Sequence, residues 1–212
     1  MGHIQSLGKR IELVSMDKVC GDISIALYEA ADDNGSATFL IHTYSHLDGA
    51  SVRIAFIVRA MQMLGGMDPV PGVAAGVRFS CGATHALGCR RIFLEACKLA
   101  SDTDLAEKPL TIFDKKSERT VTVTSRGAGD YGVSADGEED GRDRRVGAIT
   151  KGLIKLAQTE AIADDAVRFS CGQTHNAMVG LLLPRALNVR AVMREQEDQA
   201  GRGVLAAPSA QT

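Results

Sequence analysis

The stretch VRFSCGATH at 77–85 returns ninety positions later as VRFSCGQTH at 167–175, with eight of the nine residues unchanged. Each copy begins with β-branched and aromatic residues, as a short strand does. Each then places a glycine, Gly82 or Gly172, where the chain must turn, because glycine enters positive φ without a Cβ penalty. Thr84 and Thr174 are residues of the N-cap type. Apolar residues at helical spacing follow the first copy, at Ala86, Cys89, Phe93, Ala96 and Cys97. The phrase therefore reads as a strand, a tight corner and a helix start, twice in one chain.

Outward from the first copy, residues 23–29 (ISIALYE) and 37–44 (ATFLIHTY) alternate and are rich in β-branched residues, and Asn34-Gly35 between them supplies a hairpin turn. Residues 11–15 read as an earlier strand that joins this sheet, and 53–64 (RIAFIVRAMQML) as a helix between Ser51 as cap and Gly65-Gly66 as stop. In the second half, 110–113 and 120–124 read as a hairpin across 115–118, 146–157 as an amphipathic helix, and 174–183 as a helix that Pro184 bends or ends. Residues 185–197 read as a further helix. The expected fold class is α+β, internally duplicated, with two pseudo-symmetric half-domains each running strand-strand-helix-strand-helix. The half-domains are expected at 1–104 and 105–197, with a flexible tail at 198–212. Residues 125–145 (SRGAGDYGVSADGEEDGRDRR) are glycine-rich and densely charged, so they read as a solvated insertion or a lid over a site, not as a packed element.

Bulk properties bound the answer. Among 212 residues, 45% are hydrophobic and 24% charged, as in an ordinary globular protein. A formal net charge of −2 supplies no global field for nucleic acid or an anionic membrane. Aromatic residues are only 4% and Trp is absent, which argues against base-stacking platforms. No apolar run reaches the ~18 residues of a membrane span, and the start MGHIQSLGKRIE lacks the apolar stretch of an export signal. A cytoplasmic protein is expected. The five cysteines, Cys20, Cys81, Cys89, Cys97 and Cys171, are an odd number without regular spacing and read as thiols. Cys89 and Cys97 fall on the apolar face of a helix and read as core.

The chemistry is expected at the two corners. A cysteine at a helix start sits among free backbone amides, which favour thiolate and anions. A histidine four residues on could take the thiol proton. Cys81, His85, Cys171 and His175 are the candidate catalytic residues; Gly82, Thr84, Gly172, Thr174, His42 and His46 are candidates for holding a small anionic molecule, with Asp48 placed to orient one of the last two. His42 and His46 lie in HTYSH, which has no counterpart in the second half. Arg78 and Arg168, three residues before each cysteine, read as structural pairing residues.

Three functions compete. Two thiols facing each other across one cleft would suit two-base proton transfer on a small carboxylate, that is, an isomerase. This layout is similar in principle to cofactor-independent amino-acid racemases, which use one thiol from each of two pseudo-symmetric halves, although the hairpin-rich order here departs from their parallel α/β arrangement. A thiol hydrolase using one Cys-His pair is a variant. The alternative is a Cys₂His₂ zinc site made by Cys81, His85, Cys171 and His175. The third is a non-enzymatic module binding a small ligand, with no nucleic-acid or membrane partner and homo-oligomerisation left open. The expectation is a metal-free thiol pair without a cofactor.

Overall fold

The computed structural model describes residues 10–19, 23–31, 35–44, 49–99, 105 and 108–188. The first half contains β1 (Ile11–Met16), β2 (Ile25–Ala31), β3 (Ala37–Thr43), α1 (Ala50–Gly65), β4 (Met67–Pro69), β5 (Gly76–Phe79) and α2 (Ala86–Lys98). The second contains β6 (Thr111–Asp114), β7 (Arg119–Gly127), β8 (Asp130–Ala135), α3 (Glu139–Ala157), β9 (Glu160–Ala163), β10 (Ala166–Arg168) and α4 (Asn176–Ala186). The result is a mixed α+β protein with two five-stranded antiparallel sheets, ordered β1-β2-β3-β5-β4 and β6-β7-β8-β10-β9. Each half is thus richer than strand-strand-helix-strand-helix: the leading strand read at 11–15 is present as β1, the second half has β8 as an unexpected third strand, and the short β4 and β9 form the far edges.

The strands follow from alternation. In β7, Val121 and Val123 are buried while Thr124 is exposed; in β3, Phe39 and Ile41 face the core. β2 and β3 pair antiparallel in register from Ala31 opposite Ala37, with Gly35 at φ 78° ahead of β3, while Asn34 lies outside the described residues; β6 pairs β7 across 115–118. The stretch 125–145 is neither insertion nor lid. It holds the end of β7, a turn with positive φ at Gly127, Ala128 and Gly129, the whole of β8 and the first turns of α3. Its composition concealed Tyr131 and Val133, which alternate with small or polar neighbours and are fully covered.

One hydrophobic core runs through both halves, because α4 packs against α1 while α2 packs against α3 and α4. Glycines set the closest approaches: a Cβ at Gly88 on α2 would lie 2.5 Å from Met178 Sδ on α4. Each half ties its second helix down with an arginine from its first. Arg53 on α1 donates to the carbonyls of Cys97 and Leu99 at 2.7 and 2.9 Å, and Arg145 on α3 donates to that of Leu187 at 2.7 Å. Pro184 does not end α4, which runs on to Ala186. The expected helix at 185–197 and tail at 198–212 fall, from residue 189 on, outside the described residues. No helix among the described residues is long and apolar enough to cross a membrane.

Two glycines of α3 separate packing from helix propensity. A Cβ at Gly152 would come within 2.8 Å of the Ala186 carbonyl oxygen and 2.9 Å of its Cα, whereas one at Gly147 meets nothing within 4 Å. Propensity alone favours alanine over glycine by about 1 kcal/mol at either position. Urea unfolding should therefore show Gly147→Ala stabilised by about 0.5–1 kcal/mol and Gly152→Ala destabilised.

Candidate functional site

The two corners are built alike. Gly82 N–H donates to the Phe79 carbonyl at 2.9 Å, and Gly172 N–H to that of Phe169 at 3.0 Å. Each is a β-turn with glycine in its last position, at φ 72° and 70°, and cysteine just before it. The helices begin later than the threonines imply. The N-cap positions of α2 and α4 are His85 and His175, and neither cap makes a side-chain hydrogen bond. Thr84 and Thr174 are exposed, so the N-cap expectation for them is corrected: the chain needs three residues after each glycine to come round into the helix, and that puts the imidazole at its mouth. His85 pays for this with a left-handed backbone, φ 38° and ψ 41°, a conformation that costs a non-glycine residue on the order of 1–3 kcal/mol.

The corners meet. Cys81 Sγ lies 3.3 Å from His85 Nε2, and Cys171 Sγ 3.1 Å from His175 Nε2. The two imidazole centroids are 4.6 Å apart, and the four donor atoms all lie within 4.8 Å of one another. Phenylalanines from the repeated phrase hold the pair crosswise. Phe79 meets the rings of His85 and His175 edge-on at 5.0 and 5.6 Å, and Phe169 meets them at 5.5 and 4.8 Å. Phe39 and Tyr131 back these two at 6.0 and 5.8 Å. Such edge-to-face pairs contribute about 0.5–1.5 kcal/mol each beyond burial.

Tyr131 carries the main asymmetry. It stands opposite Val167, as Phe39 stands opposite Val77. Its hydroxyl accepts the His175 N–H at 2.6 Å and donates to Asn176 Oδ1 at 2.9 Å. Phe39 has no such group, and Ala86 holds the place of Asn176. Sequence reading missed Phe79, Phe169, Tyr131 and Asn176. The two phenylalanines were visible as invariant letters of the repeat; Tyr131 was hidden in 125–145.

In the absence of a cation, burial disfavours the charged forms of Cys81, His85 and His175. Burial lowers the pKa of His85, and burial with the neighbouring His85 pulls His175 down to about 4. Burial raises the Cys81 thiol, and Cys171 beside it raises it further, against a lowering by the Ala83 amide. The expected amide stabilisation of thiolate at Cys81 is therefore present but outweighed. Burial also pushes Tyr131 up to about 12, so it stays a hydroxyl.

The remaining candidates are placed elsewhere. His42 is exposed on the β3 face opposite to Phe39 and Ile41, edge-on to Tyr28 and Tyr44, and it does not join the four. His46, Asp48 and Cys20 lie outside the described residues. Cys89 and Cys97 are buried in the core, as expected. Arg168 is a pairing residue, bound through two nitrogens to Asp130 at 2.5 and 2.8 Å. A surface groove along α3 and β9, lined by Val146, Thr150, Lys151, Ile154 and Ala161, includes none of the four.

Two measurements check this geometry. Tyr131→Phe leaves the buried His175 N–H without its acceptor and should cost about 1–3 kcal/mol in urea unfolding. The histidines also set a pH dependence for the metal-free protein. Between the ordinary value of 6.5 and about 4, an unfolded chain binds a proton that folded His175 refuses. Stability supplied by the neutral ring is thus present above 6.5 and lost as pH falls through that window. The urea midpoint should fall less steeply over that window in His175→Gln than in the parent. Comparison of the chain with protein-family models, with curated proteins and with solved structures finds no match.

Proposed function

We propose that Cys81, His85, Cys171 and His175 bind one zinc ion as a closed centre between the two halves of an internally duplicated protein. The carrying observation is the convergence of four donor atoms, from corners ninety residues apart, within 4.8 Å of one another. A tetrahedral zinc with bonds of about 2.3 Å to sulfur and 2.0–2.1 Å to nitrogen has S···N edges of about 3.5 Å and an S···S edge of about 3.8 Å. The S···N separations of 3.3 and 3.1 Å are close to that edge. The histidines are held neutral, as ligands must be. A divalent cation would also remove the repulsion between two adjacent thiolates. Four protein ligands leave no open position, which is the pattern of a structural rather than a catalytic zinc. The matched element order, the identical sheet orders and the paired Arg53 and Arg145 caps support the duplication.

The same spacing disfavours proton transfer through a substrate carbon. A carbon between two reacting sulfurs needs about 3–3.5 Å on each side, more in total than the 4.8 Å span of the cluster. A thiol hydrolase stands as the second reading, since each cysteine has an imidazole nitrogen at hydrogen-bond distance.

Metal analysis of the purified protein separates the two. One zinc per chain is expected, lost in Cys81→Ser and in His175→Ala. A chelator should lower the melting temperature; occupancy at 1,000 times Kd corresponds to about 4 kcal/mol. A metal-free protein whose Cys171→Ser variant loses thioester hydrolysis at unchanged melting temperature would replace zinc with the hydrolase.

A further inference from the structure

We infer that Cys81 and Cys171 form a reversible dithiol that a peroxide oxidises to a disulfide, releasing the zinc. The inference deepens the zinc reading, and depends on it only for what is released. It rests on three observations about place. The four donors are not equally covered: His85 and His175 are 8% and 5% exposed, while Cys81 and Cys171 are only partly buried. The sulfur edge of the cluster therefore faces the reagent and the nitrogen edge faces the core. The sulfurs lie within 4.8 Å, so bonding at about 2.05 Å needs less than about 3 Å of travel. Each cysteine also directly precedes the glycine of a turn, at φ 72° and 70°, and the turn lies outside the helix and strand that flank it. The other described cysteines, Cys89 and Cys97, are 0% and 6% exposed and packed in the core.

The chemistry balances with peroxide as the oxidant. One cysteine sulfur attacks a peroxide oxygen; the O–O bond breaks, the sulfur becomes a sulfenic acid, and hydroxide leaves and takes up a proton. The second sulfur attacks the sulfenic sulfur, forms the S–S bond and expels a second hydroxide, which is protonated in turn. The two sulfurs give up two electrons and the peroxide accepts them, leaving two waters. The ion then keeps only two imidazoles and dissociates. A thiol reductant reverses the step by exchange. The disulfide would join the two halves where the metal had joined them.

The test treats zinc-loaded and chelator-stripped protein with hydrogen peroxide, follows zinc with a metallochromic dye and maps disulfides by peptide mass. The expected result is one zinc released per chain in step with a Cys81–Cys171 disulfide, and recovery of zinc binding after dithiothreitol. In Cys171→Ser, stripped of metal, Cys81 should stop at sulfenic acid and be trapped by dimedone. Retention of zinc at peroxide levels that oxidise free cysteine, or oxidation of either cysteine only to sulfinic acid, overturns the inference while leaving the zinc reading intact. A Cys81–Cys171 disulfide in protein that never binds zinc supports the dithiol and overturns the zinc reading instead.

Discussion

His85 and His175 meet edge to face, with Phe79 and Phe169 each edge-on to both rings. Much of the rest of the site can be traced to this contact. Burial in such a box disfavours the charged form of both imidazoles, and His85, 4.6 Å away, disfavours it further at His175. Each Nε2 lies at hydrogen-bond distance from the cysteine of its own corner. The convergence of the four donor atoms thus goes with this packing. In both corners the helix starts at its histidine, yet the backbone is left-handed at His85 and has φ −129° and ψ 57° at His175.

The two arms of the site are chemically alike and mechanically different. His175 has its backbone N–H held by Tyr131, which is itself held by Asn176, inside the core. His85 has Phe39 behind Phe79 and no hydroxyl in that place, and its backbone sits in a strained region. One arm has its histidine backbone N–H tied to a tyrosine hydroxyl, and the other has an aromatic ring without a hydroxyl in that place. Outer partners of this kind fix a ligand's orientation and commonly change metal affinity by about 10–100-fold when removed. The asymmetry also gives a reason for Tyr131 in a β-strand whose counterpart carries phenylalanine.

Legibility differed sharply along the chain. Corner turns, strands and core cysteines were readable because each depends on residues within a few positions: Gly82 and Gly172 for the turns, Val121 and Val123 for the strand, and the helical spacing of Cys89 and Cys97. The stretch 125–145 was misread because composition averages over exactly what matters there. Its charged residues are spread over the end of β7, the start of β8 and the first turns of α3, where Glu139 suits the positive end of the helix dipole. Tyr131 and Val133, the residues that pack, are two letters in twenty-one. Thr84 and Thr174 illustrate the converse error, since a residue of capping type is only a cap if the helix begins there.

The amino-acid sequence by itself determined the two corners: the turn, its glycine, the cysteine before it and the histidine four residues from that cysteine are all set by covalent spacing. It also determined the alternation that makes two sheets and the glycines that permit close helix contacts. Only the tertiary structure decided that the corners share one site. That depends on α2 and α4 approaching at Gly88 and Met178, a contact between segments ninety residues apart whose distance no local pattern encodes. It likewise decided that the four donor atoms lie within 4.8 Å of one another, because the packing of helices from the two halves, with Phe79 and Phe169 against both rings, sets that distance and local spacing does not.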